Sequence, residues 1–116
     1  MRIVVDLDGT VCEIRKPDQK YEDVEPKMEA VKALQELKSK GHTIILYTAR
    51  HMKTCDANVG KVMARIGNLT IAWLHKHNVP FDEIYFGKPW GDLYIDDQAL
   101  RPDWKKILKL VEDGSK

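Results

Sequence analysis

The residues best placed for chemistry stand near the start of the chain, where a short apolar run ends in two acids. Ile3, Val4 and Val5 are followed by Asp6 and, two positions later, by Asp8. A buried strand that delivers two carboxylates at its carboxyl end is costly unless those charges have partners. In an open α/β sheet, ligands bind at that end of the strands. The pattern therefore predicts a site for a metal ion, a phosphate group or both.

Further polar residues are predicted to meet these acids at the same edge of the sheet. Thr48 follows the apolar segment Thr43–Tyr47, Lys88 precedes a short strand, and Asp96 and Asp97 follow it. A hard divalent cation relieves the repulsion between crowded carboxylates, and Mg²⁺ fits best because it also binds substrate phosphate. Lys88 and the Thr48 hydroxyl would bind the remaining phosphate oxygens. This combination is suited to phosphoryl transfer.

The elements that must position these residues alternate between strands and helices along the chain. Apolar runs predict strands at Arg2–Leu7, Thr43–Tyr47, Glu83–Phe86 and Leu93–Ile95. Apolar residues at helical spacing predict helices at Pro26–Lys40, Val59–His77 and Asp103–Glu112. This alternation predicts a parallel α/β sheet with right-handed crossovers.

Three residues mark expected helix boundaries or breaks. Pro26 suits the first position of a helix, and Gly41 suits the position just after a helix ends. Gly67 is a candidate for an interruption of the second helix.

Two polar segments are expected to lie outside the helices and strands. Between the first strand and the first helix, the polar segment Val11–Val24 is expected to form a small hairpin or flap beside the acids. Ala49–Asn58 is expected to form a polar loop.

Size and composition narrow the class of protein. The chain has 116 residues, of which 43% are hydrophobic and 32% charged, so a single domain spanning 1–116 is expected. A net charge of +1 gives little electrostatic reason to expect nucleic-acid binding. No apolar run is long enough to span a membrane. Cys12 and Cys55 lack metal-binding spacing, and a reduced, cytoplasmic protein without a signal peptide is the simplest interpretation.

The segments that carry these acidic and basic residues resemble the sequence motifs of a known family. Asp6-Leu7-Asp8-Gly9-Thr10 resembles the first motif of the haloacid dehalogenase-like superfamily of aspartate-nucleophile phosphatases. Thr48 resembles the second motif, Lys88 the third, and Ile95-Asp96-Asp97 the fourth. Their order and spacing match. The resemblance implies a Rossmann-like three-layer sandwich with about four parallel strands in the order 4-1-2-3.

The resemblance also implies a role for each motif residue. Asp6 would attack phosphorus to form an aspartyl-phosphate, and Asp8 would act as general acid and then general base. Asp6, the Asp8 backbone carbonyl and Asp96 would hold Mg²⁺, with Asp97 acting directly or through a metal-bound water. Thr48 and Lys88 would complete the catalytic set. An aspartate at the position of Asp8 favours phosphatases over dehalogenases within the superfamily.

The chain resembles the capless subclass of this superfamily, because no interval between motifs is long enough for a cap domain. The sequences Tyr47-Thr48-Ala49-Arg50 and Phe86-Gly87-Lys88-Pro89-Trp90 also resemble small proteins of bacterial surface-polysaccharide synthesis. Five residues within or next to the motifs are expected to contact substrate: Gly9, Thr10, Ala49, Arg50 and His51. Arg50 is a candidate because a guanidinium binds carboxylate or phosphate through two hydrogen bonds, and a surface ion pair is its alternative.

The sequence thus predicts a Mg²⁺-dependent phosphomonoesterase that acts on a small phosphorylated sugar or sugar acid. Two alternatives stay open at this point: a phosphatase of nucleotide or polynucleotide ends, and a non-catalytic module that binds phosphate or metal. Capless members of the superfamily either take large substrates or close the site with a second subunit. A homo-oligomer, with a neighbouring chain against the flap and the loop Ala49–Asn58, is therefore expected.

Overall fold

The computed structural model describes residues 1–50, 58–87, 92–95 and 103–114. Its strands are β1 (Arg2–Asp6), β2 (Thr43–Tyr47), β3 (Glu83–Tyr85) and β4 (Leu93–Ile95). Its α-helices are α1 (Met28–Ser39), α2 (Val59–Lys76) and α3 (Trp104–Gly114), and a short 3-10 helix covers Tyr21–Asp23. The predicted alternation of strands and helices is confirmed.

The four strands form one parallel sheet in the order β3-β2-β1-β4. This is the predicted order 4-1-2-3 read from the other edge. In the register, Asp6 pairs with Tyr47 of β2, and Val5 pairs with Ile95 of β4. The carboxyl ends of β1, β2 and β4 therefore lie side by side. The acids of the site were predicted at this edge of the sheet.

Both faces of the two central strands are buried, which is the condition for packing layers on both sides of a parallel sheet. Ile3 and Val5 of β1 belong to a core cluster that includes residues of all three α-helices, such as Trp73 and Ile107. Val4, which alternates with them along the strand, is also fully buried. The two interior strands are thus packed on both faces behind the polar edge.

Helix α1 begins two residues later than predicted. Pro26 forms an antiparallel bridge with Cys12, and Lys27 has an extended backbone as the residue before the helix. The Lys27 N–H donates to the Val11 carbonyl at 2.8 Å. Pro26 therefore closes the flap and does not open the helix. Gly41, with φ +88°, ends α1 as predicted.

Helix α2 runs through Gly67 without a break, so the expected interruption is wrong. Gly67 is buried, and a Cβ atom there would lie 3.9 Å from the Phe86 ring. The cost of glycine in a helix, about 1 kcal/mol, is small beside the packing of an 18-residue helix on its core. Asn58 caps the helix by accepting a hydrogen bond from the Lys61 N–H at 3.0 Å.

The predicted flap is a closed excursion between β1 and α1. The Glu13 N–H donates to the Glu25 carbonyl at 2.9 Å, so the two ends of the flap pair with each other. The Trp73 indole N–H donates to the Val24 carbonyl at 2.9 Å and fixes the flap to α2. Residues 11–27 form only this flap, and no separate cap domain is inserted there.

No helix in the described segments is long and apolar enough to cross a membrane.

Asp82 joins the start of β2 to α1 and gives a prediction for folding stability. Its Oδ2 accepts from the Ile44 N–H at 2.8 Å, and its Oδ1 pairs with Lys38. Burial raises the pKa of Asp82, but the hydrogen bonds from Lys38 and Ile44 outweigh this and hold the pKa below its ordinary value. The stability that it contributes is therefore present above the ordinary pKa and is lost as pH falls through the folded pKa.

Replacing Asp82 with alanine is expected to lower the free energy of unfolding by about 1 kcal/mol near neutral pH. The difference from wild type should narrow in acid, where the wild-type carboxylate is protonated. Urea denaturation at neutral and acidic pH measures both effects, and Asp113→Ala, at an exposed position on α3, is the matched control. A difference that stays constant or grows in acid would contradict this account of Asp82.

Candidate active site

The polar edge of the sheet is built by the ends of β1 and β2. The Leu7 N–H donates to the Tyr47 carbonyl at 2.9 Å, which continues the pairing of the two strands one step past Asp6. The Thr48 N–H donates to the Tyr85 carbonyl at 3.0 Å, which ties the residue after β2 to β3. Asp6 and Thr48 are therefore held by backbone pairing at adjacent strand ends.

A tight loop after β1 turns the chain so that Asp8 faces β2. The Leu7 carbonyl accepts hydrogen bonds from the N–H groups of Val11 at 3.0 Å and Cys12 at 3.2 Å. Gly9 lies in the loop with φ +87°, a conformation that glycine adopts without a steric penalty. The glycine in the first motif thus has a structural role, since it lets the chain reverse directly after Asp8.

Asp8 is held at both carboxylate oxygens. The Thr48 hydroxyl donates to Asp8 Oδ2 at 2.6 Å, and Arg50 Nε donates to Asp8 Oδ1 at 2.8 Å. The Arg50 N–H in turn donates to the Thr48 hydroxyl oxygen at 3.2 Å. Three predicted site residues from two strand ends are therefore brought into one hydrogen-bonded group.

This geometry shows which group receives the hydrogen bond from the Thr48 hydroxyl. A hydroxyl has one proton to donate, and in this arrangement it is given to Asp8. Thr48 is fully buried. The structure thus shows Thr48 supporting Asp8, while the binding of a phosphate oxygen by the same hydroxyl stays a prediction.

Arg50 lies at the site, as predicted, but its side chain is buried. The whole residue is 3% exposed, so the alternative interpretation, an ion pair on the surface, is wrong. Its Nη1 donates to the Thr70 hydroxyl at 3.3 Å, and its guanidinium carbon lies 4.4 Å from the centre of the Tyr21 ring. The ion pair with Asp8 is consequently a largely buried one.

Cys12 packs beneath Asp8 as an apolar residue. Its Sγ donates to the Leu7 carbonyl at 3.5 Å and lies 3.9 Å from Asp8 Oδ1. Burial, followed by the charge of Asp8, raises the pKa of the Cys12 thiol to about 12. The thiol therefore stays protonated and is a poor nucleophile.

The other expected substrate contacts differ in their exposure. Ala49 is exposed beside the group around Asp8, whereas the Thr10 side chain is fully buried. The Gly9 carbonyl accepts a hydrogen bond from Lys27 Nζ at 3.0 Å. The burial of Thr10 does not favour a substrate contact through its hydroxyl. The contact of Lys27 with the first motif was not predicted.

Four predicted site residues lie outside the described residues: His51, Lys88, Asp96 and Asp97. In the sequence, the described segments end directly before His51, Lys88 and Asp96. Ile95, which precedes Asp96, pairs with Val5 immediately before Asp6. The last three residues of the segment Phe86-Gly87-Lys88-Pro89-Trp90 also lie outside the described residues.

Two residues that complete the site were missed by sequence reasoning. Tyr21 belongs to the polar flap, where no pattern distinguished it. Thr70 lies on α2 between Ile66 and Trp73 on the buried side of the helix. A hydroxyl on an otherwise apolar helical face is the signal that could have marked Thr70 as the partner of a buried polar group.

A cleft of about 250 Å³ opens beside the carboxylate of Asp8. Its lining residues come from the loop after β1, the flap and the end of β2: Asp8, Ile14, Arg15, Tyr21, Ala49 and Arg50. Larger grooves exist, such as one of about 580 Å³ between α1 and α3, but the predicted catalytic carboxylates do not line it. The chemistry of the lining residues therefore identifies the smaller cleft as the candidate site.

The donor atoms at this edge fit a hard cation. Asp6 and Asp8 offer carboxylate and carbonyl oxygens, which are the ligands that Mg²⁺ prefers. In the described segments, however, no three His, Cys, Asp or Glu side chains form a group that could hold a metal ion. A complete ligand set requires residues beyond Asp6 and Asp8, and Asp96 and Asp97 are the predicted ones.

Comparison with known proteins agrees with the motifs. The profile of a haloacid dehalogenase-like hydrolase family matches residues 3–69. A protein from Vibrio cholerae with a known crystal structure is 36% identical, with a TM-score of 0.76 over 99% of this chain and 98% of that one. A conserved protein from Bacteroides thetaiotaomicron is 26% identical, with a TM-score of 0.65 over 100% and 93% of the two chains.

A more distant structure shares the fold alone. It is D,D-heptose 1,7-bisphosphate phosphatase from B. bronchiseptica complexed with magnesium and phosphate, at 19% identity and a TM-score of 0.52 over 97% of this chain and 63% of that one. No curated protein matches the chain. The family profile covers more than half of the sequence, including the first two motifs, and the chain belongs to the haloacid dehalogenase-like hydrolases.

Proposed function

We propose that the protein is a Mg²⁺-dependent phosphomonoesterase that acts through an aspartyl-phosphate on Asp6. The observation that carries the proposal is the arrangement around Asp8. Its carboxylate is bound by Thr48 and Arg50 and lies beside the cleft, two residues after Asp6 at the end of a buried strand. A nucleophile and a separately held acid–base group are the parts that two-step phosphate hydrolysis requires.

The two steps follow from these positions. In the first, an Asp6 carboxylate oxygen attacks phosphorus, the bond to the leaving oxygen breaks, and Asp8 gives that oxygen a proton. In the second, Asp8 takes a proton from water, the water oxygen attacks phosphorus, and the bond to Asp6 breaks to release inorganic phosphate. Asp8 returns to its starting protonation state, so the cycle balances.

Mg²⁺ would be held by Asp6, the Asp8 backbone carbonyl and Asp96, with Asp97 acting directly or through water. A bound cation would neutralise charge on the phosphate oxygens. Lys88 would provide a second positive charge for the same oxygens. Support for this ligand set comes from the sheet register, in which Ile95, the residue before Asp96, pairs with the residue before Asp6.

A small substrate, a phosphorylated sugar or sugar acid, is part of the proposal. The cleft of about 250 Å³ has the scale of a small ligand, and Arg15 on the flap contributes a positive charge to its wall. Gly9, Ala49 and His51 would contact the substrate.

We also propose that the protein belongs to the capless subclass and acts in the cytoplasm in surface-polysaccharide synthesis. We further propose that it forms a homo-oligomer in which a second copy helps to close the site.

A panel of phosphorylated metabolites tests the function, with phosphate release measured in Mg²⁺, in excess chelator and in Ca²⁺. We expect release from a phosphorylated sugar or sugar acid in Mg²⁺, almost none in chelator, and full recovery when Mg²⁺ is restored. Ca²⁺ should inhibit, because it prefers more ligands at longer distances.

The outcomes of the panel separate the alternatives. Full activity in chelator would contradict the metal site. Preferential release from polynucleotide ends, falling steeply with added salt, would replace the sugar substrate with a nucleic acid. No release from any phosphomonoester, by a protein that still binds phosphate, would identify a non-catalytic module.

A further inference from the structure

Arg50 is a charged side chain that is almost entirely withdrawn from water. Its side chain is 1% exposed, whereas that of its partner Asp8 is 26% exposed. Burying a guanidinium costs several kcal/mol unless its charge and its donors are matched by the surrounding groups. The contacts that compensate for this cost show what the residue does.

The guanidinium is surrounded by groups from three separate parts of the chain. Nε donates to Asp8 Oδ1 at 2.8 Å, and Nη1 donates to the Thr70 hydroxyl of α2 at 3.3 Å. Nη2 lies 3.9 Å from Cys12 Sγ, and the Tyr21 ring of the flap packs on the guanidinium. Arg50 is consequently held in one position by α2, the flap and the loop after β1.

The effect of this arrangement on Asp8 is to fix the plane of its carboxylate. Arg50 binds Oδ1, and Thr48 binds Oδ2 at 2.6 Å. Rotation about the Cβ–Cγ bond of Asp8 would break both hydrogen bonds. Each oxygen keeps lone-pair capacity, so the carboxylate can still accept a proton on the side of the cleft and give it back there.

We propose that Arg50 is a positioning residue, which orients the Asp8 carboxylate for proton transfer and joins it to the flap through Tyr21 and to α2 through Thr70. This inference rests on the phosphatase function proposed above. It replaces the direct substrate contact expected for Arg50 from the sequence, because the buried guanidinium has little surface left to offer a ligand.

The conservative variant Arg50→Lys tests the proposal. Lysine keeps the charge but has no planar fork, so it cannot hold Asp8 and Thr70 together. The measured quantity is kcat/KM, which covers the steps up to transfer of phosphate to Asp6, for nitrophenyl phosphate and for a simple alkyl phosphate. An alkoxide is a poor leaving group and depends on the proton from Asp8, whereas nitrophenolate leaves without one.

We expect Arg50→Lys to lower kcat/KM about tenfold or more for the alkyl phosphate and no more than about twofold for nitrophenyl phosphate. The inhibition constant of inorganic phosphate should stay within about twofold of wild type. Arg65→Lys, on the exposed surface of α2, is the matched control and should change neither substrate.

Three results would overturn the proposal. Equal losses for both substrates, together with weaker inhibition by phosphate, would mean that Arg50 binds the substrate. Unchanged kinetics for both substrates would mean that Arg50 has only a structural role. Wild type that hydrolyses no phosphomonoester would refute the proposed function itself, and this result is distinguishable because it precedes any comparison of variants.

Two pairs of variants keep the test decisive if Arg50→Lys does not fold. Thr70→Val removes the acceptor for Nη1, and Thr70→Ser keeps it. Tyr21→Leu removes the ring from the guanidinium, and Tyr21→Phe keeps it. We expect the first member of each pair to lower the alkyl-phosphate activity selectively and the second to resemble wild type. Identical behaviour within both pairs would contradict the links to α2 and the flap.

Discussion

Replacing Asp6 with asparagine is expected to lower kcat by at least about a thousandfold, or ~4 kcal/mol in the activation barrier. The asparagine side chain has nearly the same size and shape, but its amide is not a nucleophile toward phosphorus. Asp6 ends a strand whose backbone is paired on both sides, so the fold should tolerate the change. Steady-state kinetics on the best substrate of the panel measures the loss.

The control for Asp6→Asn is the same chemical change at Asp113, an exposed carboxylate on α3, which should leave kcat unaltered. Circular dichroism and thermal unfolding must show that the Asp6 variant is folded. If the folded variant keeps more than about a tenth of wild-type kcat, a loss below ~1.4 kcal/mol, Asp6 is not the nucleophile.

Replacing Asp8 with asparagine is expected to lower kcat about a hundredfold to ten-thousandfold, because the amide neither donates nor accepts the proton in the two steps. The backbone carbonyl, which is the proposed metal ligand, is unchanged. Binding of Mg²⁺ and phosphate should therefore survive, and calorimetric titration of both ligands checks this. Normal turnover near neutral pH would remove Asp8 from the mechanism.

The same variant should also be less stable than wild type. It removes the negative charge that faces the buried guanidinium of Arg50, whose side chain is 1% exposed. A buried charge left without its partner destabilises the folded state, although the partial exposure of Asp8 reduces the effect. We expect a loss of about 1 kcal/mol or more in urea denaturation, and unchanged stability would contradict the importance of this ion pair.

Much of the fold could be predicted because its signals are local. The bounds of β2 and β4 agree with the prediction, since each apolar run ends where polar residues begin. The start of α1 was missed because Pro26 is compatible with a helix but pairs with Cys12 instead. Whether Pro26 begins the helix or pairs with Cys12 depends on a contact between separate parts of the chain, and a local sequence pattern does not contain that information.

The acids of the site were predictable for a related reason. Asp6 ends a buried strand and Asp8 stands two residues later, and parallel strands bring their carboxyl ends together. The environment of Arg50 was not predictable, because its neighbours Tyr21 and Thr70 belong to separate elements. Sequence spacing indicated that Arg50 lies at the site, but only the packing shows that its guanidinium is turned inward to Asp8.

In the proposed mechanism, phosphate passes through a covalent bond to Asp6, and the configuration at phosphorus shows whether that bond forms. The measurement is hydrolysis by wild type, in isotopically labelled water, of a phosphomonoester made chiral at phosphorus by oxygen isotopes. Each in-line displacement inverts the phosphorus centre. Transfer to Asp6 followed by transfer to water therefore predicts overall retention. Overall inversion would show that water attacks the substrate directly and would contradict the aspartyl-phosphate mechanism.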